Sequence, residues 1–508
     1  MKGLYLNVPK ARERIEELDH AIGAPTHLAV ASREGLGDVV VNHHPLDWPD
    51  GPIREDAASD TFAAACGWFV FRDKLGDLAG FASAFREARE RGRELEILAD
   101  VRAGEFLMLL AIGDERFVIT DPFGLRPHFT MDGDPCRCLA PSPWFIKGDR
   151  KTDPIAASML RERHYLYGTM TAYDGVERVE PGSVIGRAGA RSYFDYGAPG
   201  APLSGLADAI GGELAAFGER KHILPLSGGL DSRLLLATGD VHYAYTFGPR
   251  DTGDRPVARR FAHLVQDHWE FSLLDLTYPK RSREAGTRLL DGICDDPFYE
   301  LLPINERLFR RGGEACITLD GFCGDVLQRG TYMTYGGVIG SLAKLLPWLT
   351  TRDFDPLTVL RRRNAALSDE QFEVVARIFR EKMGRPGLDG PQRLTLFELM
   401  YGRGVSYIFW GGLVADQFYT NVRAFFLPAA FRTLFSADLA AAAHYRNLRP
   451  IWSALPRELT DVATYSGFKP LWNPHVARAS MLAHKALAHL GVGRTISYTS
   501  ELDSVVWR

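Results

Sequence analysis

Cysteine is scarce in this chain, six among 508 residues, and none stands in a paired motif. Cys136 and Cys138 form a C-x-C without a second pair. Neither a zinc site nor a disulfide framework is expected, and a reducing cytoplasm is the natural compartment. Long apolar runs are also missing. The stretches near Phe69 and Phe106 are too short to span a bilayer, and Met1-Lys2-Gly3-Leu4-Tyr5 begins no sustained signal segment, so no membrane partner is expected. There is no strong excess of charge of one sign: the formal net charge is -4, which gives no reason to expect nucleic acid. The cluster Arg361-Arg362-Arg363 reads as a solvated helix end. Internal repeats and low-complexity tracts are absent too. With 46% hydrophobic and 24% charged residues the composition is that of a globular chain, long enough for roughly two to four domains.

One further absence is chemical. The loop Ser227-Gly228-Gly229-Leu230-Asp231-Ser232 lies between the strand-like run from His222 to Leu226 and the helix-like run from Arg233 to Ala237, yet no lysine follows its glycines. Glycines let backbone N–H groups close on phosphate oxygens, the serines add hydroxyl donors, and the following helix offers its positive end. Asp231 adds a hard oxygen ligand for Mg2+. Without the lysine of a γ-phosphate-transferring loop, this one is suited to the departing pyrophosphate of ATP, and the expected chemistry is AMP-forming. A second strand, His242 to Phe247, ends in Thr246-Phe247-Gly248, which a parallel sheet would bring to the same carboxyl edge.

The organisation is bipartite. Residues 1–200 mix short β-rich runs with helices, including Asp38 to Val41, and Phe106 to Ile112 answered by Arg116 to Ile119. Gly197-Ala198-Pro199-Gly200-Ala201-Pro202 reads as a linker. Residues 205–508 begin with helix, strand, loop, helix, strand, the pattern of a doubly wound parallel sheet, and become mostly helical. Ser368 and Gln371 form a capping box ahead of Phe372, Val375, Phe379 and Met383, and Gly384 with Pro386 ends that helix, within an insertion near 332–392.

Taken together, several separated motifs resemble the asparagine synthetase superfamily, which includes β-lactam synthetases and lasso peptide cyclases. They are Leu226 to Ser232 with Arg233; Thr246-Phe247-Gly248; Asp254 leading into Val257 to Ala262 and His268; Gly321-Phe322-Cys323-Gly324-Asp325 ending at Gly330; and Asn421 to Leu427. In the first half, Gly104-Glu105-Phe106, Asp121 to Pro127 and Pro181-Gly182 resemble elements of the family's glutaminase half. The resemblance implies an α/β chain: an N-terminal-nucleophile-hydrolase-like αββα sandwich over 1–200, then an adenine-nucleotide α-hydrolase (ATP pyrophosphatase) parallel-sheet domain with helical additions over 205–508.

It also implies an ATP- and Mg2+-dependent carbon–nitrogen ligase that adenylates a carboxylate, of a small molecule or a peptide, and captures it with ammonia or an amine. Ser227, Gly228, Gly229 and Ser232 would hold pyrophosphate, and Asp231 and Asp325 one Mg2+ each. Leu226, Thr246, Phe247, Gly248 and Gly321 would line the nucleotide site. Lys469 would meet developing phosphate charge, which makes Asp231, Asp325 and Lys469 the expected catalytic set. An intramolecular cyclase and a non-catalytic nucleotide-binding scaffold are the alternatives. A homodimer or a substrate-delivering partner protein is compatible with either.

Departures from the family pattern narrow this. A glutaminase of this type uses an N-terminal cysteine, but position two is Lys2, and Cys66-Gly67-Trp68 replaces the family's Asn-Gly-Glu segment. Glutamine hydrolysis on this chain is therefore not expected. Phe322 and Asn421 stand where the family has glutamate or tyrosine and glutamate, and neither serves as a general base. Asp320 and Asp416 are the substitutes nearest to them in sequence. Asp295 and Asp296 before Pro297 read equally well as carboxylates facing the cleft or as an acidic turn, and His268 as structural.

Overall fold

The computed structural model describes the chain except residues 239–240, 251, 273–276, 335–345, 347–352, 385–386, 490–505 and 508. The first half stacks two antiparallel sheets between helices. Strands β1 (Gly3–Leu6), β2 (Leu28–Arg33) and β3 (Gly37–Asn42) form one sheet in the order β1-β3-β2. The other sheet has seven strands. It is built from β4 (Ile53–Asp56), β5 (Thr61–Phe71), β6 (Val101–Ile112), β7 (Glu115–Thr120), β8 (Ser183–Gly186) and β9 (Gly189–Ser192), in the order β9-β8-β7-β6-β5-β4, with Lys74–Leu75 paired to the end of β5.

Strand alternation accounts for the layering. Leu4, Leu6, Val39 and Val41 of the smaller sheet meet Phe62, Ala64, Leu107 and Leu109 of the larger one. On the opposite face, Tyr5 and Val40 turn toward helix α1 (Ala11–Ile22), whose Ala11, Ile15, Leu18 and Ile22 recur at helical spacing. The far face of the larger sheet, with Ala63, Ala65, Phe69, Met108 and Leu110, packs on Leu78, Phe81 and Phe85 of helix α2 (Leu78–Arg89). Asp77 starts that helix by accepting from the Gly80 N–H at 2.9 Å. The layers are helix, sheet, sheet, helix.

The second half is built on a five-stranded parallel sheet. Its strands are β10 (Lys221–Pro225), β11 (Val241–Phe247), β12 (Asp267–Phe271), β13 (Cys316–Asp320) and β14 (Thr420–Arg423), in the order β12-β11-β10-β13-β14. Strand order reverses between β10 and β13, and in open parallel sheets ligands bind outside the carboxyl ends of the strands at such a reversal. Short helices follow two of these strands: α3 (Asp231–Leu236) after β10 and α4 (Gly324–Arg329) after β13.

The stretch near 332–392 contains more than the single helix read from its capping box. Helices Pro356–Arg363, Asp369–Met383 and Gly390–Met400 occupy its described residues, while Pro386 and most of 335–352 lie outside them. The Ser368–Gln371 box is present with both hydrogen bonds. Aromatic contacts join the halves: Phe123 lies 5.0 Å from Phe426 and 4.6 Å from Phe431, centroid to centroid. Arg220 also reaches back to Asp47 at 2.6 Å.

Candidate functional site

The loop that leaves β10 is folded on itself by its own polar groups. The Ser227 N–H donates to Ser232 Oγ at 3.0 Å, the two serine hydroxyls are 3.1 Å apart, and the Gly229 N–H donates to Ser227 Oγ at 3.1 Å. Asp254 holds the Gly228 N–H at 2.7 Å. A side chain at Gly228 would press on Asp254, Tyr465 and Val257, with its Cβ within 3.2 Å of each. Leu226 is buried and tied to the next strand: its N–H donates to Tyr245 O at 2.8 Å and its carbonyl accepts from Thr246 Oγ1 at 2.7 Å. Thr246 also contacts His268 Nε2 at 2.9 Å, which gives His268 a structural role. Half-buried Phe247 and Gly248, whose N–H donates to Phe271 O at 3.2 Å, complete that edge.

Directly behind the loop is a buried cation. Arg233, on α3, donates to Val462 O at 2.6 Å and Leu459 O at 3.3 Å, and reaches Gly228 O at 3.5 Å. The Tyr465 N–H adds a bond to Gly228 O at 3.1 Å. The segment 459–465 is thereby strapped to the loop. Lys469 follows on this segment, but its ammonium lies 4.0 Å from Asp461 Oδ1, its one recorded ion-pair partner among the described residues.

Strand reversal brings the two aspartates together. A Cβ on Gly321 would lie 3.5 Å from Asp231 Cβ, and one on Gly324 would lie 2.9 Å from it, so the loop after β13 presses on the start of α3. Asp325 opens α4, near enough to raise the Asp231 pKa; burial is the larger cause, and Arg329 opposes both. Asp231 has further partners on the same helix. Gln328 Nε2 donates to Asp231 Oδ1 at 2.9 Å, and Arg329 Nη2 lies 3.4 Å from Oδ2. Neither residue was indicated by the loop motifs. Their spacing of three and four residues from Asp325 on a helix is the signal that would have found them.

This donor set fits a hard cation. The Asp325 charge acts on the Asp231 carboxylate, and the buried Gln328 Oε1 has no donor. Among the described residues no group of three or more His, Cys, Asp or Glu gathers for a metal. A cation here would have two protein carboxylates and would take its other ligands from phosphate and water, the usual pattern for Mg2+.

Phe322 and Asn421 follow on the same sheet edge. Phe322 is buried against Phe426 and Phe409, at 5.0 and 6.0 Å. The Asn421 amide bonds Asp320 and reaches Gly412 O at 3.4 Å. Of the two substitute carboxylates, Asp416 is locked in ion pairs with Arg423 at 2.8 Å and Arg126 at 3.1 Å. Asp320, at the carboxyl end of β13, has its pKa raised by burial, with Arg423 and the Asn421 amide opposing. Asp296 is engaged by Tyr407 and lies 3.7 Å from His164.

In the first half, buried Lys2 donates to Pro25 O at 2.7 Å, His43 O at 3.0 Å and Asn42 Oδ1 at 3.1 Å. Cys66 lies 3.6 Å from His128 Nε2, but burial pushes its thiol up to about 12, so no thiolate nucleophile forms there near neutral pH. Gly67, at φ +84°, is obligatory, because a Cβ would fall 2.0 Å from Glu105 O.

No helix among the described residues is long and apolar enough to cross a membrane. No protein-family model matches the chain, and no curated protein does. Among solved structures it is similar to the allosteric regulatory enzyme of purine biosynthesis, at 10% identity over 53% of this chain and 79% of that one, with a TM-score of 0.23, a likeness too slight to bear on fold or function.

Proposed function

We propose that the chain is an AMP-forming amide ligase: it adenylates a carboxylate with ATP and lets ammonia or an amine displace AMP. The observation that carries this reading is the convergence of Asp231 and Asp325 beneath a Ser–Gly–Gly loop at the reversal of a parallel sheet. Asp231 and Asp325 would hold Mg2+, which when bound neutralises charge on the leaving pyrophosphate. Ser227 and Ser232 would turn their hydroxyls to the phosphates, which frees the Ser227 and Gly229 amides that these hydroxyls now hold to complete the cradle. Leu226 and the Thr246–Gly248 edge would line the adenosine. Asp320 is the group we assign to take the proton from the attacking amine, since its burial keeps it more basic than an ordinary aspartate.

The test is pyrophosphate release from Mg-ATP, with hydroxylamine present to trap an acyl-adenylate, across amino acids, uronic acids and peptides. Release that requires a carboxylate and disappears in Asp231→Ala supports the reading. Protein that binds no Mg-ATP and releases no pyrophosphate overturns it.

A further inference from the structure

The cation that already neutralises Asp231 belongs to the chain. Arg329 Nη2 lies 3.4 Å from Asp231 Oδ2, and both side chains retain about a fifth of their exposure, 21% and 22%. Arg329 is one helical turn from Asp325 on α4, and its charge acts on Asp231. Its buried Nε has no hydrogen-bond acceptor, so the guanidinium is incompletely satisfied where it stands. A guanidinium offers a fork of donors that matches phosphate oxygens, and this one sits at the edge of the loop described above.

A divalent cation settling on Asp231 alone would meet the positive charge of Arg329 at close range, and the two repel. A cation that arrives with a polyphosphate brings anionic oxygens to which the guanidinium can turn. We propose that Arg329 is a stand-in cation for the Asp231 carboxylate, which it releases on nucleotide binding to pair with a phosphate of the bound chain. The proposal rests on the reading of the site given above. It adds that Arg329 disfavours metal without nucleotide and favours polyphosphate even without metal.

Two binding measurements on the full chain test this, with Mn2+ alone followed by electron paramagnetic resonance and pyrophosphate in EDTA followed by calorimetry. Arg329→Gln is expected to bind Mn2+ about tenfold tighter and pyrophosphate about tenfold more weakly, each the loss of one charged contact, while Arg329→Lys stays nearer the native protein. Should Arg329→Gln fail to fold, phenylglyoxal modification of the native protein replaces it: pyrophosphate with EDTA should slow labelling of Arg329, read by mass spectrometry. Unchanged affinities in a folded Arg329→Gln, or no protection at saturating pyrophosphate, overturn the proposal and leave the ligase reading intact. Native protein that binds neither pyrophosphate nor Mg-ATP overturns both.

Discussion

Glu105 and Arg423 stand 318 residues apart in sequence and meet in a buried pair, the carboxylate accepting from the Arg423 backbone N–H at 2.7 Å and from its guanidinium. The strand β6 of the antiparallel half is thereby joined to β14 of the parallel sheet. Asp416 shares Arg423, at 2.8 Å, and continues to Arg126 at 3.1 Å. Removing one member of such a network leaves the others buried with unbalanced charge. Glu105→Ala should therefore destabilise the protein by about 3 kcal/mol in denaturant titration, and a loss below about 1 kcal/mol would show the pair to be dispensable.

Acid should weaken the protein through His128. Its Nδ1 donates to Arg126 O at 3.0 Å and its Nε2 accepts from the Leu4 N–H at 2.9 Å, an arrangement only the neutral ring can make. Burial accordingly pushes its pKa down from 6.5 to about 4. Between these values the unfolded chain binds the proton and the folded chain does not. Stability from this group is complete above pH 6.5 and falls as pH drops toward 4, by on the order of 3 kcal/mol. His43 and His44 are shifted the same way and the buried Glu105 and Asp121 carboxylates the opposite way, so the contribution is read as the difference between native protein and His128→Gln in thermal melts across that range.

Arg233 should matter for nucleotide binding without touching the nucleotide. It links the Gly228 carbonyl to those of Leu459 and Val462. Arg233→Met leaves the Leu459 and Val462 carbonyls without this donor and holds the strap to Gly228 only through the Tyr465 N–H, at a cost of about 2–4 kcal/mol in stability. Mg-ATP affinity measured by calorimetry should fall at least in step with it. A folded Arg233→Met with native affinity would remove the strap from the argument.

Asp320→Asn should separate the two half-reactions. Activation of the carboxylate does not need the amine's proton acceptor, so pyrophosphate release should persist. Transfer to the natural amine should fall by about 10²–10⁴-fold, the usual range for a general base. Loss of both steps together would assign Asp320 to the architecture of β13 instead.

Much of this arrangement is legible in the sequence, because local rules govern it. The β10 strand, its Ser–Gly–Gly loop and the β11 strand lie where periodicity and loop chemistry place them, with strand boundaries shifted by one residue at most. The capping box of Asp369–Met383 is likewise local. The contacts that tune the site are long-range. Nothing near Arg233 announces the carbonyls of Leu459 and Val462, and Gln328 and Arg329 become meaningful only once α4 is seen against Asp231. Of helix Pro356–Arg363 only the end is legible, in Arg361-Arg362-Arg363, whereas Gly390–Met400 is buried from Leu394 to Met400, which erases the amphipathic stripe.

The reversal of strand order has a consequence for biogenesis. Asp231 and Gln328 touch although 97 residues separate them, because β10 must wait for β13 as its neighbour. Such distant pairing is slow to form, since the intervening chain loses its freedom before any contact rewards it. During synthesis the Ser–Gly–Gly loop leaves the ribosome well before the helix that packs against it. On the proposed function, nucleotide would find its site only in chains whose central sheet has closed.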